Sequence, residues 1–312
     1  MFRLLHPPLL SRATVDRDES LRLDADRLAA GWPKARVLVV DDHGRAPMDT
    51  GPSGQPLLLT KPATGIGQLP PEDATLLGQQ GDVAYWTVRG RPSLVDGDDP
   101  AGWRDLRARG ADLPATDAGL LVTAVAVLNW HHSARFCGRC GTPTRPVHAG
   151  WARVCTSCGH EEYPRTDPAV ICLVHDDGSD GSARVLLARQ PAWPPGRYSV
   201  LAGFVEAGES LEACVRREIT EEVGVTVHDI SYLGSQAWPF PRSLMIGFEA
   251  VADPGQPLRP ADGEIAEAMW LTRDELRAAL DDGDWVTGDG RPLLLPPPVS
   301  IARSMLDSWA AS

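Results

Sequence analysis

The chain has 312 residues, 43% of them hydrophobic, enough for two domains or for one domain with an appendage. Its formal net charge of -12 excludes general affinity for nucleic acid or for an anionic membrane, because the long-range field repels phosphate. Any phosphate-bearing substrate must be handled locally, most simply through a divalent cation.

At the amino terminus, MFRLLHPPLLSR interrupts its leucines with a proline pair before an export-signal core can form. The longest apolar run, roughly Ala118 to Leu128, is far short of the ~20 residues that cross a bilayer, so a cytoplasmic protein without a membrane span is expected. Strand-like runs at Arg36 to Val40 and Val83 to Val88 alternate with turn-rich pieces such as DDHGR and VDGDDPAG. They predict an irregular α+β domain over residues 1–130. From Asp117, an expected N-cap following Pro114, AGLLVTAVAVLNW is apolar on nearly every side and predicts a buried helix.

Cys137 and Cys140 form one Cys-x2-Cys knuckle, and Cys155 and Cys158 form a second, fourteen residues on. Four thiolates at this spacing suit one tetrahedral zinc ion within a ribbon over residues 131–165. Glycines 138, 141 and 159 stand where knuckle turns need them. Four sulfurs close the shell and leave no place for a water nucleophile, so this metal is expected to brace the fold. Cys172 and Cys214, in apolar surroundings, read as buried thiols.

Residues 166–312 continue as strand (AVICLV), loop, strand (ARVLLAR), a Trp/Pro/Gly loop, a strand near Tyr198 to Ala202, and then a helix, a pattern that indicates a compact α/β domain. Ser210 is the expected N-cap of that helix and Gly224 its stop, with Leu211, Val215 and Ile219 facing the core. Glu218 and Glu222 are one turn apart with Glu221 beside them, so their carboxylates converge on another face. Such a cluster repels itself unless cations intervene, and hard ions such as Mg2+ or Mn2+ favour carboxylate oxygens. Arg217 is positioned to grip Glu209 from the preceding loop in two places.

The segment GFVEAGESLEACVRREITEEVGV resembles the Nudix box: Gly203, Glu209, Arg217, Glu218, Ile219, Glu221, Glu222, Gly224 and Val225 fill its fixed positions. The resemblance implies an α/β/α sandwich that hydrolyses nucleoside diphosphates linked to another group. Downstream, SQAWPFPRS at Ser235 to Ser243 resembles the SQPWPFPxS signature of the NADH pyrophosphatase subgroup, with Ala237 in place of the first proline. The same resemblance covers the ribbon, its YPR continuation at Tyr163 to Arg165, and LPPPVSIAR near the end. It is weak before residue 136.

The subgroup resemblance implies that Tyr163, Phe204, Gln236, Ala237, Trp238, Pro239, Phe240, Pro241, Arg242, Ser243 and Ala302 line the substrate pocket. Trp238 and Phe240 supply flat apolar surfaces for a nicotinamide or adenine ring. An arginine of WRDLRARG, taken as Arg107, is expected to reach substrate. Glu264 corresponds by its spacing to Trp270 to an additional metal-side glutamate, and Ala202 is expected to lend a backbone carbonyl to the metal. The implied reaction is cleavage of the central pyrophosphate of NAD(H) to nicotinamide mononucleotide and AMP, and the same bond occurs in NAD-capped RNA. One of Glu221, Glu222 and Glu264 would take the proton from attacking water. A homodimer is implied as well. Two rivals remain at this point: a hydrolase preferring ADP-ribose, and a nucleic-acid-binding ribbon with a relic hydrolase domain, its local charge supplied by Arg135, Arg139, Arg145 and Arg153.

Overall fold

A computed structural model describes residues 2–90, 102–178, 180–282, 286, 290 and 292–312; nearly all of the expected VDGDDPAG turn lies outside the described residues. The chain divides into two compact units, Met1–Pro8, Asp167–Gln236 and Ser243–Ser312 forming one, Leu9–Thr166 and Ala237–Arg242 the other. The zinc-ribbon segment therefore groups with the amino-terminal domain, and the first eight residues group with the carboxyl-terminal unit.

The carboxyl-terminal unit is built on a six-stranded sheet. The strand Asp167–His175 lies parallel to Ser243–Val251 and antiparallel to Arg184–Arg189 and Leu201–Phe204, with His228–Trp238 and Glu267–Thr272 outermost. AVICLV shows no polar alternation because both of its faces are covered. Ile171 and Leu173 enter one core with Val185, Leu187, Met305 and Trp309. Val170, Cys172 and Val174 enter another with Val215, Ile219 and Val223. Helix Leu211–Val223 supplies the second core, while Arg273–Asp281 and Ile301–Ala310 supply the first, giving the α/β/α sandwich. The strand expected at Tyr198 to Ala202 starts later, at Leu201. Tyr198 instead gives its backbone N–H to Leu294 and its hydroxyl to Glu267, while Ser199 makes only an isolated bridge with Ala188.

In the amino-terminal unit the two β-rich runs form strands, and Arg36–Val40 pairs parallel with Val83–Arg89 in a four-stranded sheet. Trp32, Val37, Val39, Leu76, Trp86 and Trp103 form its core. The long helix Ala115–Ser133 is buried along most of its length, in keeping with its all-round apolar sequence. It begins two residues before Asp117, with Pro114 at the N-cap position; the Asp117 carboxylate accepts instead from the Leu58 N–H at 2.9 Å. Strands Thr144–Val147, Ala152–Cys155 and Glu161–Glu162 form the small sheet of the ribbon. Among the described residues no helix is long and apolar enough to cross a membrane.

Candidate active site

The acidic helix Leu211–Val223 starts where its local signals place it. The Ser210 hydroxyl accepts from the Ala213 N–H at 3.2 Å, and Gly224 closes the helix in the left-handed conformation at φ 74°. Strand Leu201–Phe204 runs against this helix at Gly203, where an added Cβ would fall 1.9 Å from Glu218 Cδ and 2.2 Å from each carboxylate oxygen. Only glycine lets the strand backbone approach that carboxylate so closely.

Arg217 organises the loop and the helix together. Its Nε and Nη2 donate to the two oxygens of Glu209, each at 2.8 Å, the bidentate grip expected from the sequence. Nη1 reaches Glu218 at 2.8 Å and Glu221 at 3.2 Å, and Nη2 also donates to the Phe204 carbonyl at 3.0 Å. The guanidinium holds Glu209 down to about 2, and Glu209 in turn raises the pKa of Arg217.

Glu222 is the opposite case. It is 6% exposed, and its Oε2 has no hydrogen-bond partner. Burial first, then the charges of Glu218 and Glu264, push it up to about 8, against a hydrogen bond accepted from the Ala202 backbone N–H. Burial also raises Glu218. An orphaned, buried carboxylate oxygen beside two further carboxylates is an arrangement that a hard dication relieves, so these residues fit such an ion.

A cleft of about 640 Å3 gathers Ala202, Phe204, Arg217, Glu218, Glu222 and Glu264. Glu221, whose side chain is largely exposed, is not among its lining residues. Gln190, Pro191, Glu206 and Gly263 also line it; of these, only Glu206 lay inside the box-like segment.

Residues 235–243 behave differently from one to the next. Within the amino-terminal unit, Trp238 and Phe240 meet edge to face at 5.0 Å between ring centroids. The Arg107 guanidinium lies 4.0 Å over the Phe240 ring, so this arginine supports the aromatic residue. Asn129 Nδ2 donates to the carbonyls of Pro239 and Pro241, at 3.2 and 3.4 Å, a tether that no sequence signal announced. Arg107, Asn129, Pro239, Phe240 and Pro241 share a cleft of about 710 Å3. Ala237 and Arg242 flank the tethered residues within the same segment. In the other unit, Gln236 is buried and donates to the Val299 carbonyl at 3.1 Å, while Ser243 and Ala302 are also buried. Tyr163 and Phe204 are 65% and 58% exposed.

In the ribbon, Cys137, Cys140, Cys155 and Cys158 bring their sulfurs within 4.8 Å of one another, with nearest separations of 3.4 to 3.7 Å. A tetrahedron with ~2.3 Å zinc–sulfur bonds has edges of about 3.8 Å, so the thiols fit the ion they were expected to hold. N–H groups of Arg139, Ser157 and Cys158 point at these sulfurs, each at 3.4 Å. Gly141 and Gly159 take the left-handed turns, whereas Gly138 does not; its N–H bonds Glu162. Cys172 and Cys214 are buried thiols whose pKa values burial raises, Cys214 to about 12.

Three family models match the chain in sequence order. They are an NADH pyrophosphatase-like rudimentary NUDIX domain over residues 14–130, an NADH pyrophosphatase zinc ribbon domain over 132–163, and a NUDIX domain over 165–288. The chain is 51% identical over 312 residues to proteins named NAD-capped RNA hydrolase NudC from Mycobacterium bovis and Mycobacterium tuberculosis, covering 99% of this chain and 97% of each relative. It is 43% identical over 210 residues to the human mitochondrial NAD(P)H pyrophosphatase NUDT13, covering 66% of this chain and 58% of that one.

Proposed function

Because the chain belongs to the NADH pyrophosphatase family of Nudix hydrolases, we propose that it cleaves the diphosphate of NAD(H) to nicotinamide mononucleotide and AMP and removes NAD caps from RNA 5′ ends. The observation that carries the hydrolytic reading is the convergence of Glu218, Glu222 and Glu264 on one cleft, with Glu222 Oε2 buried and unpartnered.

Glu218, Glu222 and Glu264, with the exposed Glu221 and the Ala202 carbonyl, would hold Mg2+ or Mn2+. Bound there, such ions would neutralise diphosphate charge and acidify water. The chain's own residues do the rest. Arg217 fixes Glu209, Glu218 and Glu221 relative to the Phe204 carbonyl, so the carboxylates are set before substrate arrives. Water attacks phosphorus in line with the departing phosphate, and one of Glu221, Glu222 and Glu264 accepts its proton. Trp238 and Phe240, stiffened by prolines, Arg107 and Asn129, offer the stacking surface for a base. Tyr163, Phe204, Gln236, Ala237, Arg242, Ser243 and Ala302 belong to the same reading, the buried members acting through the backbone they anchor. Cytoplasmic homodimers complete it.

The test is turnover of NADH, NAD-capped RNA and ADP-ribose side by side, with products identified and Mg2+ or Mn2+ added back to dialysed protein. Nicotinamide mononucleotide and AMP from NADH are the expected products. ADP-ribose turning over as fast as NADH defeats the nicotinamide assignment.

A further inference from the structure

Residues 190–192, 202–206 and 263–264 form three walls of the cleft that holds the carboxylates. Each wall traces back, within four residues along the chain, to a contact at Glu267. Arg189 ends the strand Arg184–Arg189 just before the first wall, and its Nη2 donates to Glu267 Oε1 at 2.8 Å. Tyr198 precedes the second wall, and its hydroxyl donates to Glu267 Oε2 at 2.6 Å. Glu267 itself opens the strand Glu267–Thr272, directly after the loop that carries Glu264. None of Arg189, Tyr198 and Glu267 lines the cleft, so the three act on it from behind.

The backbone follows the same convergence. Arg189 and Glu267 stand opposite each other in an antiparallel pair, close enough for their side chains to meet on one face. Ala188 and Ser199 exchange two backbone hydrogen bonds of 2.9 Å, which keeps Tyr198 beside that pair. The Ala266 N–H donates to the Arg189 carbonyl at 2.8 Å, and earlier in the same loop the Ala261 N–H donates to the Glu222 carbonyl at 2.9 Å. Glu264 therefore rides on a short loop with two anchors, one on the acidic helix and one on Arg189. Between them Gly263 takes φ 87° with open space around it, so the anchors rather than local packing fix where Glu264 stands relative to Glu222. Tyr198 is 2% exposed and the Arg189 side chain 15%, whereas the Glu267 side chain is 40% exposed. An ion pair open to water on one side adds little to stability. Two packed donors nevertheless dictate where its carboxylate lies.

We propose that Glu267 is a positioning residue of the hydrolytic site: through Arg189 and Tyr198 it sets Glu264 against Glu222, and with that the affinity of their carboxylates for a divalent cation. The inference deepens the metal-dependent hydrolysis proposed above and rests on it. Glutamine at position 267 offers one acceptor oxygen to two donors, so one link is lost, and phenylalanine at position 198 removes one of those donors outright.

The experiment titrates Mn2+ into dialysed protein by calorimetry without substrate, and separately measures NADH hydrolysis against Mg2+ concentration, for the unaltered protein, Glu267→Gln, Tyr198→Phe and the double variant. Mn2+ binding should weaken about tenfold in Glu267→Gln and severalfold in Tyr198→Phe, the scale on which groups behind a metal site act. Half-saturating Mg2+ should rise in step while KM for NADH at saturating Mg2+ stays within about twofold. Tm should fall by no more than about 4 °C, because the link holds little of the folding energy. The double variant should bind Mn2+ within about twofold of Glu267→Gln, since both changes break one link. Mn2+ affinity unchanged in both single variants overturns the proposal, as does a loss accompanied in both by a fall of about 10 °C or more in Tm, the mark of general loosening. Should the unaltered protein bind Mn2+ and leave NADH intact, the reaction assignment fails and the calorimetry alone decides the role of Glu267. Absence of Mn2+ uptake by the unaltered protein refutes both.

Discussion

Replacing Glu222 with glutamine separates what the site needs for chemistry from what it imposes on stability. The carboxyl group titrates at 4.5 in an unperturbed chain and at about 8 in the folded protein without metal, chiefly because it is buried. Below 4.5 both states keep the proton, so the group adds nothing to stability. Between 4.5 and 8 the unfolded chain ionises while the folded one does not, and above 8 the folded protein bears the full penalty of a buried charge. The difference corresponds to at most about 5 kcal/mol. Local relaxation and water entry reduce it to roughly 1–3 kcal/mol. Urea unfolding of dialysed protein should therefore show Glu222→Gln more stable than the unaltered protein by that amount at pH 8.5 and nearly equal to it at pH 4.5. Added Mg2+ should stabilise the unaltered protein more, and turnover of the variant should fall by about tenfold to a hundredfold, the loss expected when a carboxylate supporting a metal site is removed. If the two proteins change stability in parallel between pH 4.5 and 8.5, the burial argument is refuted.

Gly203→Ala should lower kcat/KM for NADH by about a hundredfold with little change in Tm, because the new methyl displaces the Glu218 carboxylate while leaving the cores intact; wild-type turnover would show that the close approach is not required. Arg217→Lys keeps the charge but loses the two-point grip on Glu209, and steady-state kinetics should show a loss of about tenfold or more. Cys158→Ser should abolish stoichiometric zinc by elemental analysis and lower Tm, since so small a sheet cannot stand without its ion; one full equivalent of retained zinc would refute the four-sulfur site. Asn129→Ala should raise KM for NADH several-fold with kcat little changed, by freeing the 239–241 carbonyls.

Local signals were legible in the sequence, and long-range ones were not. The limits of the acidic helix follow from Ser210 and Gly224, each acting within four residues of itself, and the four thiols from spacing alone. Spacing could place Glu218, Glu221 and Glu222 near one another, but it could not say that Glu222 is the buried one, with an oxygen lacking a partner. That depends on which way the Leu201–Phe204 strand crosses the helix. Arg107 illustrates the same limit: a contact between positions 107 and 240 leaves no periodicity to read, and the arginine braces an aromatic ring. Gln236, Ser243 and Ala302 stand in recognisable motifs yet are buried, because a fixed motif position can anchor backbone as readily as touch a ligand. Asp117 was a plausible cap by type, but the Leu58 N–H claims its carboxylate.

The sandwich closes over material from both ends of the chain: Phe2 and Trp309 belong to one core, each within 6.3 Å of the His175 ring, and the Phe2 N–H donates to Glu249. Synthesis from the ribosome is vectorial, so this layer cannot lock until Ile301–Ala310 has emerged, long after the ribbon's cysteines are available to zinc. Assembly of the hydrolytic half is therefore a late event in biogenesis.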